Sequence, residues 1–487
     1  MNLFEKGIRS DKLLNTAVKN LTLFQDQNGN RHAITSTGLN MDIIDIPGSG
    51  LERWLRRLFL MTDRTTLHPI DIKRVADYVE SLAFADDIEE RPYFARVGQS
   101  GATLYYNMGG TAKKVVKITS VGVELLDNSN YWVCFRPSIA QTLPNLSSKA
   151  EHLPNLLHRF FRVQKEDEWV LLMVYIITCF VGDINHPILV LYGSAGSAKS
   201  TTMETIGTIV DPNRNNRLTK SPDRRNIIAA LSNRYFIGFD NLQVLKQWLS
   251  DLLCSVSTGG SEPLRQYYTT NDLTEVCLKG CVCLNGIEVV AVAKDLLDRS
   301  ILIELKRIPD DEILTEAQYT LSLREAMPQI LGSIFDVLHK ALVFLGNQSE
   351  IAVKSRMADF LTYGYAIAES IGAGLGEKFA QAYAANKKLA EQEERLPVIV
   401  ECLVSFMSYQ TTWSGTMTDL RNQLQPIAKQ KGFSQLEFPA SASALSRQIG
   451  YAKAELERQN IAISQQVGGN RIVEIRNAVC DDGVNLG

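Results

Sequence analysis

The residues best suited to chemistry lie in ILVLYGSAGSAKST, Ile188 to Thr201. An apolar run ends on Gly193. Ser194, Ala195, Gly196, Ser197 and Ala198 then lead to Lys199, Ser200 and Thr201, where a helix-type stretch begins, STTMETIGTIV. Glycine, four residues, a small residue, lysine and serine between a strand and a helix is the spacing of a phosphate-binding loop. Small side chains let successive backbone N–H groups close around phosphate oxygens, and a helix N-terminus adds partial positive charge. In this reading Lys199 reaches the β- and γ-phosphates of ATP, and the Ser200 hydroxyl holds Mg²⁺. Ala198 stands where the pattern has glycine, so a positive φ at that position would cost about 1 kcal/mol. The competing reading is a small-residue turn with an incidental lysine.

Three later residues extend the site. YFIGFDN, Tyr235 to Asn241, is a buried-type strand ending on Asp240, where a carboxylate beside the loop would hold the metal with Ser200. Otherwise Asp240 is a helix N-cap. Asn241 follows, and an amide can orient a water but cannot take its proton, so hydrolysis needs either another base, with Asp251 and Glu262 as candidates, or a mechanism that works by positioning alone. Asn285 ends the strand GCVCLNG, either sensing a γ-phosphate or capping a turn. Arg299, in KDLLDRSILIEL, precedes another strand at the edge of this region. It fits an arginine finger acting on a neighbouring subunit, or a surface ion pair with Asp298 or Asp295.

The elements around these residues read as α/β. From Ile188 to about residue 308, the strands ILVLY, YFIGFD, VCLNG and ILIEL alternate with helical stretches, the rhythm of a sheet covered on both faces. Residues 1–150 are mixed and strand-rich, with alternating patterns in Arg91 to Gly109 and in KKVVKITSVGVELL. Residues 151–312 form the nucleotide core, 313–400 a helical lid or linker, and 401–487 a small tail. The tail contains helical stretches and a two-strand signal around Gly468 and Gly469.

Composition narrows the classes. With 487 residues, 45% hydrophobic, and a net charge of -3, the chain is an ordinary globular protein of about three domains and no globally basic nucleic-acid coat. Eight cysteines, no CxxC pair and six histidines offer no zinc spacing and suggest reduced, buried thiols in the cytoplasm. The greasy run Trp169 to Gly182 is shorter than the roughly 20 residues a span needs, so it reads as a buried helix and no membrane partner is expected. The N-terminal acids Asp42, Asp45, Asp86, Asp87, Glu89 and Glu90 form no strand-borne pair for metals, so no primase activity is expected.

Taken in order, GSAGSAKST, FDN, STGGSEPLRQYYTTNDL, VCLNG and LLDRS resemble the AAA+ ATPase core of superfamily-three and minichromosome-maintenance-like helicases. Among these the chain looks most like replicative helicases of phages and mobile elements, called primase-helicases or ATP-binding proteins. The resemblance is strong over residues 155–345 and looser over RMADFLTYGYAIAESIG and FAQAYAANKKLAEQEE. It implies a homo-hexameric ring that hydrolyses ATP between subunits and draws single-stranded or forked DNA through its pore, with other replication proteins as further partners. It also makes the Asp240–Asn241 pair usual.

The same resemblance implies a DNA-contacting hairpin, here Leu264 to Leu278, turning at Thr270, Asn271 and Asp272. Arg265 and Lys279 flank it, and Tyr267 and Tyr268 offer stacking faces, though strand tyrosines also serve packing. The tail reads as a winged helix, with Ser443, Arg447 and Arg471 able to meet phosphates, or as a protein-docking cap. The leading expectation is an ATP-dependent DNA helicase in mobile-element replication. The alternative is an AAA+ switch, loader or regulator that binds DNA without unwinding it, favoured by Ala198 and Asn241. A kinase or metabolic enzyme would share the first motif only.

Overall fold

The computed structural model describes residues 12–37, 40–62, 66–85, 87–214, 217–218, 223–242, 245–265, 273–289, 293–309, 314–347, 355–393, 396–431, 433, 438–465 and 472–477. The chain forms two compact units. One joins Met1–Ala291 to Asp298–Ala390, and the other joins Val292–Leu297 to Glu391–Gly487.

After helical residues 12–19, the first unit forms an antiparallel meander that the sequence pattern does not single out: β1 (Leu21–Gln25), β2 (Arg31–Thr37) and β3 (Asn40–Ile46). Helices Ser49–Thr62 and Pro69–Ala83 follow, and bury Leu51, Leu55, Leu58, Ile72, Val75 and Val79 in one cluster with Ala33 and Ile46. Those apolar residues recur at helical spacing, so one face of each helix is buried and the other is wet. Next, β4 (Tyr93–Phe94) pairs with β9 (Cys134–Phe135). Between them, β5 (Val97–Ser100), β6 (Thr103–Asn107), β7 (Lys114–Ile118) and β8 (Val123–Asp127) make a four-stranded antiparallel sheet in sequence order.

This second sheet is not a separate body. Leu104, Tyr106, Val116 and Ile118 share a continuous core with Phe180, Ile334 and Phe335, so the boundary expected at residue 150 lies inside one hydrophobic core. The Tyr106 ring sits 5.0 Å from Phe180 and 5.6 Å from Phe335. Helix Glu166–Thr178 is buried from Glu168 through Thr178, as its uninterrupted apolar run demands. Among the described residues one helix, Glu316–Asn347, is long and apolar enough to cross a membrane, and its Ile330, Leu331, Ile334 and Phe335 lie in this core.

The central sheet contains β10 (Ile188–Tyr192), β11 (Arg217–Leu218), β12 (Phe236–Phe239), β15 (Cys281–Gly286) and β16 (Ser300–Glu304). All are parallel, in the order β11-β12-β15-β10-β16. The four longer strands are the four read from sequence, and their near-continuous burial explains why they lack alternation. Between β12 and β15 the chain makes a hairpin, β13 (Ser261–Arg265) with β14 (Leu273–Cys277). The exposed edge of β16 is closed by side chains. Asn386 pairs with both the N–H (3.0 Å) and the C=O (2.7 Å) of Leu302, and Glu168 accepts from the Glu304 N–H at 2.9 Å. Such cover prevents a parallel edge from pairing with foreign strands.

In the second unit, helices Val398–Met407, Met417–Gln430, Ala442–Tyr451 and Lys453–Arg458 surround a three-stranded sheet. It is built from β17 (Thr412–Thr416), β18 (Ile461–Gln465) and β19 (Ile472–Asn477) in the order β17-β19-β18. Leu403, Leu420, Leu424, Leu445, Ile449 and Ile475 form its core. A capping box between Thr416 and Asp419 starts helix Met417–Gln430. The sequence reading missed β17 because TWSGT has no fully buried residue.

Candidate functional site

Three strands of the central sheet deliver their carboxyl ends to one place. β10 ends at Tyr192, and the Gly193–Ala198 loop turns the chain into helix Lys199–Val210. The turn is tight. Gly193 has φ 145° and Gly196 φ 80°, and a Cβ on Gly193 would lie 2.0 Å from the Leu305 carbonyl oxygen. Ala198 has φ 56° and ψ 27°, so the position needs the left-handed conformation although it carries a methyl group. Relief of that strain, less the extra freedom glycine has in the unfolded chain, makes Ala198→Gly stabilising by about 0.5–1 kcal/mol. Urea unfolding of the variant checks this, and an unchanged or lower midpoint would count against strain at this residue.

The Lys199 ammonium curls back over the loop. It donates to the carbonyls of Gly193 and Ser194 at 2.8 Å each, and to Ser197 Oγ at 3.2 Å. Burial lowers its pKa, and the nearby Asp240 carboxylate works in the opposite direction. Asp240 is 6% exposed and follows β12 directly. Its Oδ1 accepts from Ser200 Oγ at 2.8 Å and from Asn285 Nδ2 at 2.7 Å. Asn285, 1% exposed, also takes the Asn241 N–H on its Oδ1 at 2.7 Å. The interposed strand β15 therefore puts an amide between the loop and the acid and holds both. A serine hydroxyl beside a carboxylate is an oxygen donor set that suits a hard cation such as Mg²⁺, and the loop N–H groups suit phosphate.

Two residues of this cluster escaped the sequence reading. Arg217, on β11, donates from Nη1 to Asp240 Oδ2 at 3.1 Å and pairs through Nε with Glu204 at 2.5 Å. Glu204 lies four residues after Ser200 and so on the same helix face, a signal that was present in the sequence. Burial raises its pKa, opposed by Arg217. Arg217 gave no comparable signal, since β11 is only two residues long.

The other candidates are dispersed. Asn241 has φ 55°, a conformation asparagine tolerates, and its side chain is exposed. Asp251 is exposed on helix Gln247–Thr258 and accepts from Gln247 at 2.8 Å. Glu262 and Arg265 lie on β13, with side chains outside the described set, and Tyr267, Tyr268, Thr270, Asn271, Asp272 and Arg471 lie outside the described residues. Lys279 sits beyond the foot of the hairpin and pairs with Asp183 at 2.9 Å. Ser443 and Arg447 are exposed on helix Ala442–Tyr451 of the second unit.

Arg299 is at the opposite end of the sheet from the loop. Its carbonyl accepts from Ile188 N at 2.8 Å, at the first residue of β10, whereas the loop begins after the last. A strand of this length separates the two by about 15 Å, further than an arginine side chain reaches. The adjacent Asp298 is held by Arg356 at 3.7 Å and by Lys387, which donates to its carbonyl.

Fold and site together define an α/β protein with a glycine-rich strand-to-helix loop facing an acid and an amide. Two family models match such a chain. The actinomycete integrative conjugative element replication protein matches residues 155–388, and the AICE RepA C-terminal domain matches residues 399–481. These matches place the chain among replication proteins of mobile genetic elements. No curated protein matches it. Among solved structures, the A form apo structure of the NrS-1 C terminal region is similar at 10% identity and a TM-score of 0.38, covering 94% of this chain and 97% of that one. The apo structure of NrS-1 C terminal region (305-718) gives 10% identity and a TM-score of 0.39 over 94% and 96%. Both likenesses are loose.

Proposed function

We propose that the chain is an ATP hydrolase that drives a ring-forming DNA helicase, a homo-hexamer, in replication of a mobile element. In this reading the parallel sheet with its helices is an AAA+ core, the helical segment that follows it to Ala390 is its lid, and the second unit is a winged-helix-like domain. The observation that carries it is the meeting of Ser200, Asp240 and Asn285 beside the Lys199 loop, at the carboxyl ends of parallel strands where such sheets take ligands. ATP with Mg²⁺ supplies the reactive phosphoryl group and the charge that neutralises it. Lys199 turns from its carbonyl partners to phosphate oxygens, Ser200 and Asp240 provide oxygen ligands, and Asn285 keeps Asp240 oriented. Gly193 to Thr201 cradle the phosphates. Arg299, out of reach of its own loop, serves a neighbour's.

DNA contacts in this reading come from the β13–β14 hairpin, with Arg265, Tyr267, Tyr268 and Lys279, and from Arg447 and Arg471 in the second unit. The test is strand displacement on a forked duplex. Wild type is expected to separate the strands with ATP, and Lys199→Ala to do neither that nor hydrolysis. A wild type that hydrolyses ATP yet never displaces a strand rules the helicase out.

One observation favours the switch reading. Asp240 is held by Arg217 as well as by Ser200, so a metal must displace a guanidinium before it can bind fully. Tight ATP-dependent DNA binding with slow turnover that DNA does not stimulate would select this alternative.

A further inference from the structure

The metal end of the site has a direction. Asp240 and Asn285 lie on the β12 and β15 side of β10, so the terminal phosphates of a bound nucleotide point that way. The nucleoside end must then leave the loop on the opposite side, towards β16. There the chain beyond β16 runs alongside the loop. Leu305 N donates to Tyr192 O at 2.8 Å and Ile308 N to Gly196 O at 3.3 Å, so residues 305–308 flank the loop from its first glycine to its second. Arg307 lies between these two bonds. A Cβ placed on Gly196 would find Arg307 Cγ at 3.8 Å and Nε at 4.0 Å, so the guanidinium stem covers this glycine. Arg307 is exposed.

We propose that Arg307 grips the nucleoside end of the nucleotide, its α-phosphate and ribose side, as a binding residue distinct from Lys199 and the metal ligands. This rests on the nucleotide reading of the loop. A guanidinium is always charged and presents several donors in a fixed fork, which suits a phosphate oxygen and a neighbouring hydroxyl together. The adjacent Lys306 is exposed too and provides the control, carrying the same charge one residue away.

The experiment compares binding of ADP and of inorganic phosphate, which fills only the position held by the Lys199 loop, by full-length wild type, Arg307→Ala and Lys306→Ala. Arg307→Ala is expected to weaken ADP about tenfold, the value of one charge-assisted contact, and to leave inorganic phosphate within about twofold. Lys306→Ala should match wild type for both. Equal ADP affinity in wild type and Arg307→Ala overturns the proposal. So does an equal loss for inorganic phosphate, or the same loss in Lys306→Ala, since each makes the effect one of general charge. If wild type binds neither ligand, the nucleotide reading falls and this proposal with it, whereas binding of ADP with no Arg307 effect sinks this proposal alone.

Discussion

Arg299→Ala is expected to slow ATP turnover by about 10³–10⁵-fold while leaving ATP binding unchanged. The size follows from what an arginine finger does, which is to meet charge that develops on the transferring phosphoryl group in the transition state. The direction follows from position. Arg299 immediately precedes β16, at the end of the sheet remote from the loop, so in the proposed mechanism it cannot serve a nucleotide held by its own loop. A mixing experiment separates a trans role from a structural one. Lys199→Ala and Arg299→Ala should each be inactive alone, whereas a mixed interface would pair the intact loop of one with the intact arginine of the other. Mixtures should recover a fraction of the wild-type rate. Undiminished turnover in Arg299→Ala, or loss without recovery in mixtures, removes the trans finger from the mechanism.

The second large effect lies away from the site. Arg96 is 1% exposed and Asp211 3% exposed, and they pair at 3.0 Å. Arg96 also donates to the carbonyls of Asn107 and Ile139 at 2.8 and 2.7 Å. Asp211 caps helix Lys199–Val210, and its other oxygen accepts from Tyr235 N at 2.9 Å, just before the strand that leads to Asp240. Arg96→Met leaves a buried carboxylate without its cation and two carbonyls without donors, so unfolding should become easier by about 3–5 kcal/mol. The contrast is Arg91→Met, whose pair with Glu89 is 29% and 59% exposed and should cost at most about 1 kcal/mol. Urea unfolding of both variants decides the matter. A cost below about 1 kcal/mol for Arg96→Met would show that the pair merely breaks even against its desolvation.

The same contacts explain why the strand-rich region before residue 150 is part of the central body. Tyr106 Oη donates to the Val210 carbonyl at 3.0 Å, and Gln141 donates to those of Thr208 and Ile209 at 3.0 and 3.1 Å. The helix whose first turn carries Lys199 and Ser200 thus has its last free carbonyls satisfied by the preceding region. A helix end buried in a core needs such partners, and the chain takes them from residues about 70 and 104 positions away.

Local features were legible in the sequence for physical reasons. A buried parallel strand needs an uninterrupted apolar run, so ILVLY, YFIGF, VCLNG and ILIEL announced themselves. A tight strand-to-helix turn needs small residues before the helix start, which marked Gly193 to Thr201. Parallel strands bring their carboxyl ends together, so Asp240 and Asn285, which meet Ser200 there, could be named without coordinates. Alanine's methyl group at residue 198 even posed the question that its φ of 56° answers.

What only the tertiary structure decided involves partners that sequence spacing does not pair. Arg96 meets Asp211 across 115 positions, Arg217 reaches Asp240 from a two-residue edge strand, and Arg307 covers Gly196 because β16 happens to lie beside β10. Periodicity encodes how deeply a residue is buried, since burial repeats with the local backbone. It carries no record of which distant element fills the space opposite, because strand order and register are set by the packing of the whole core.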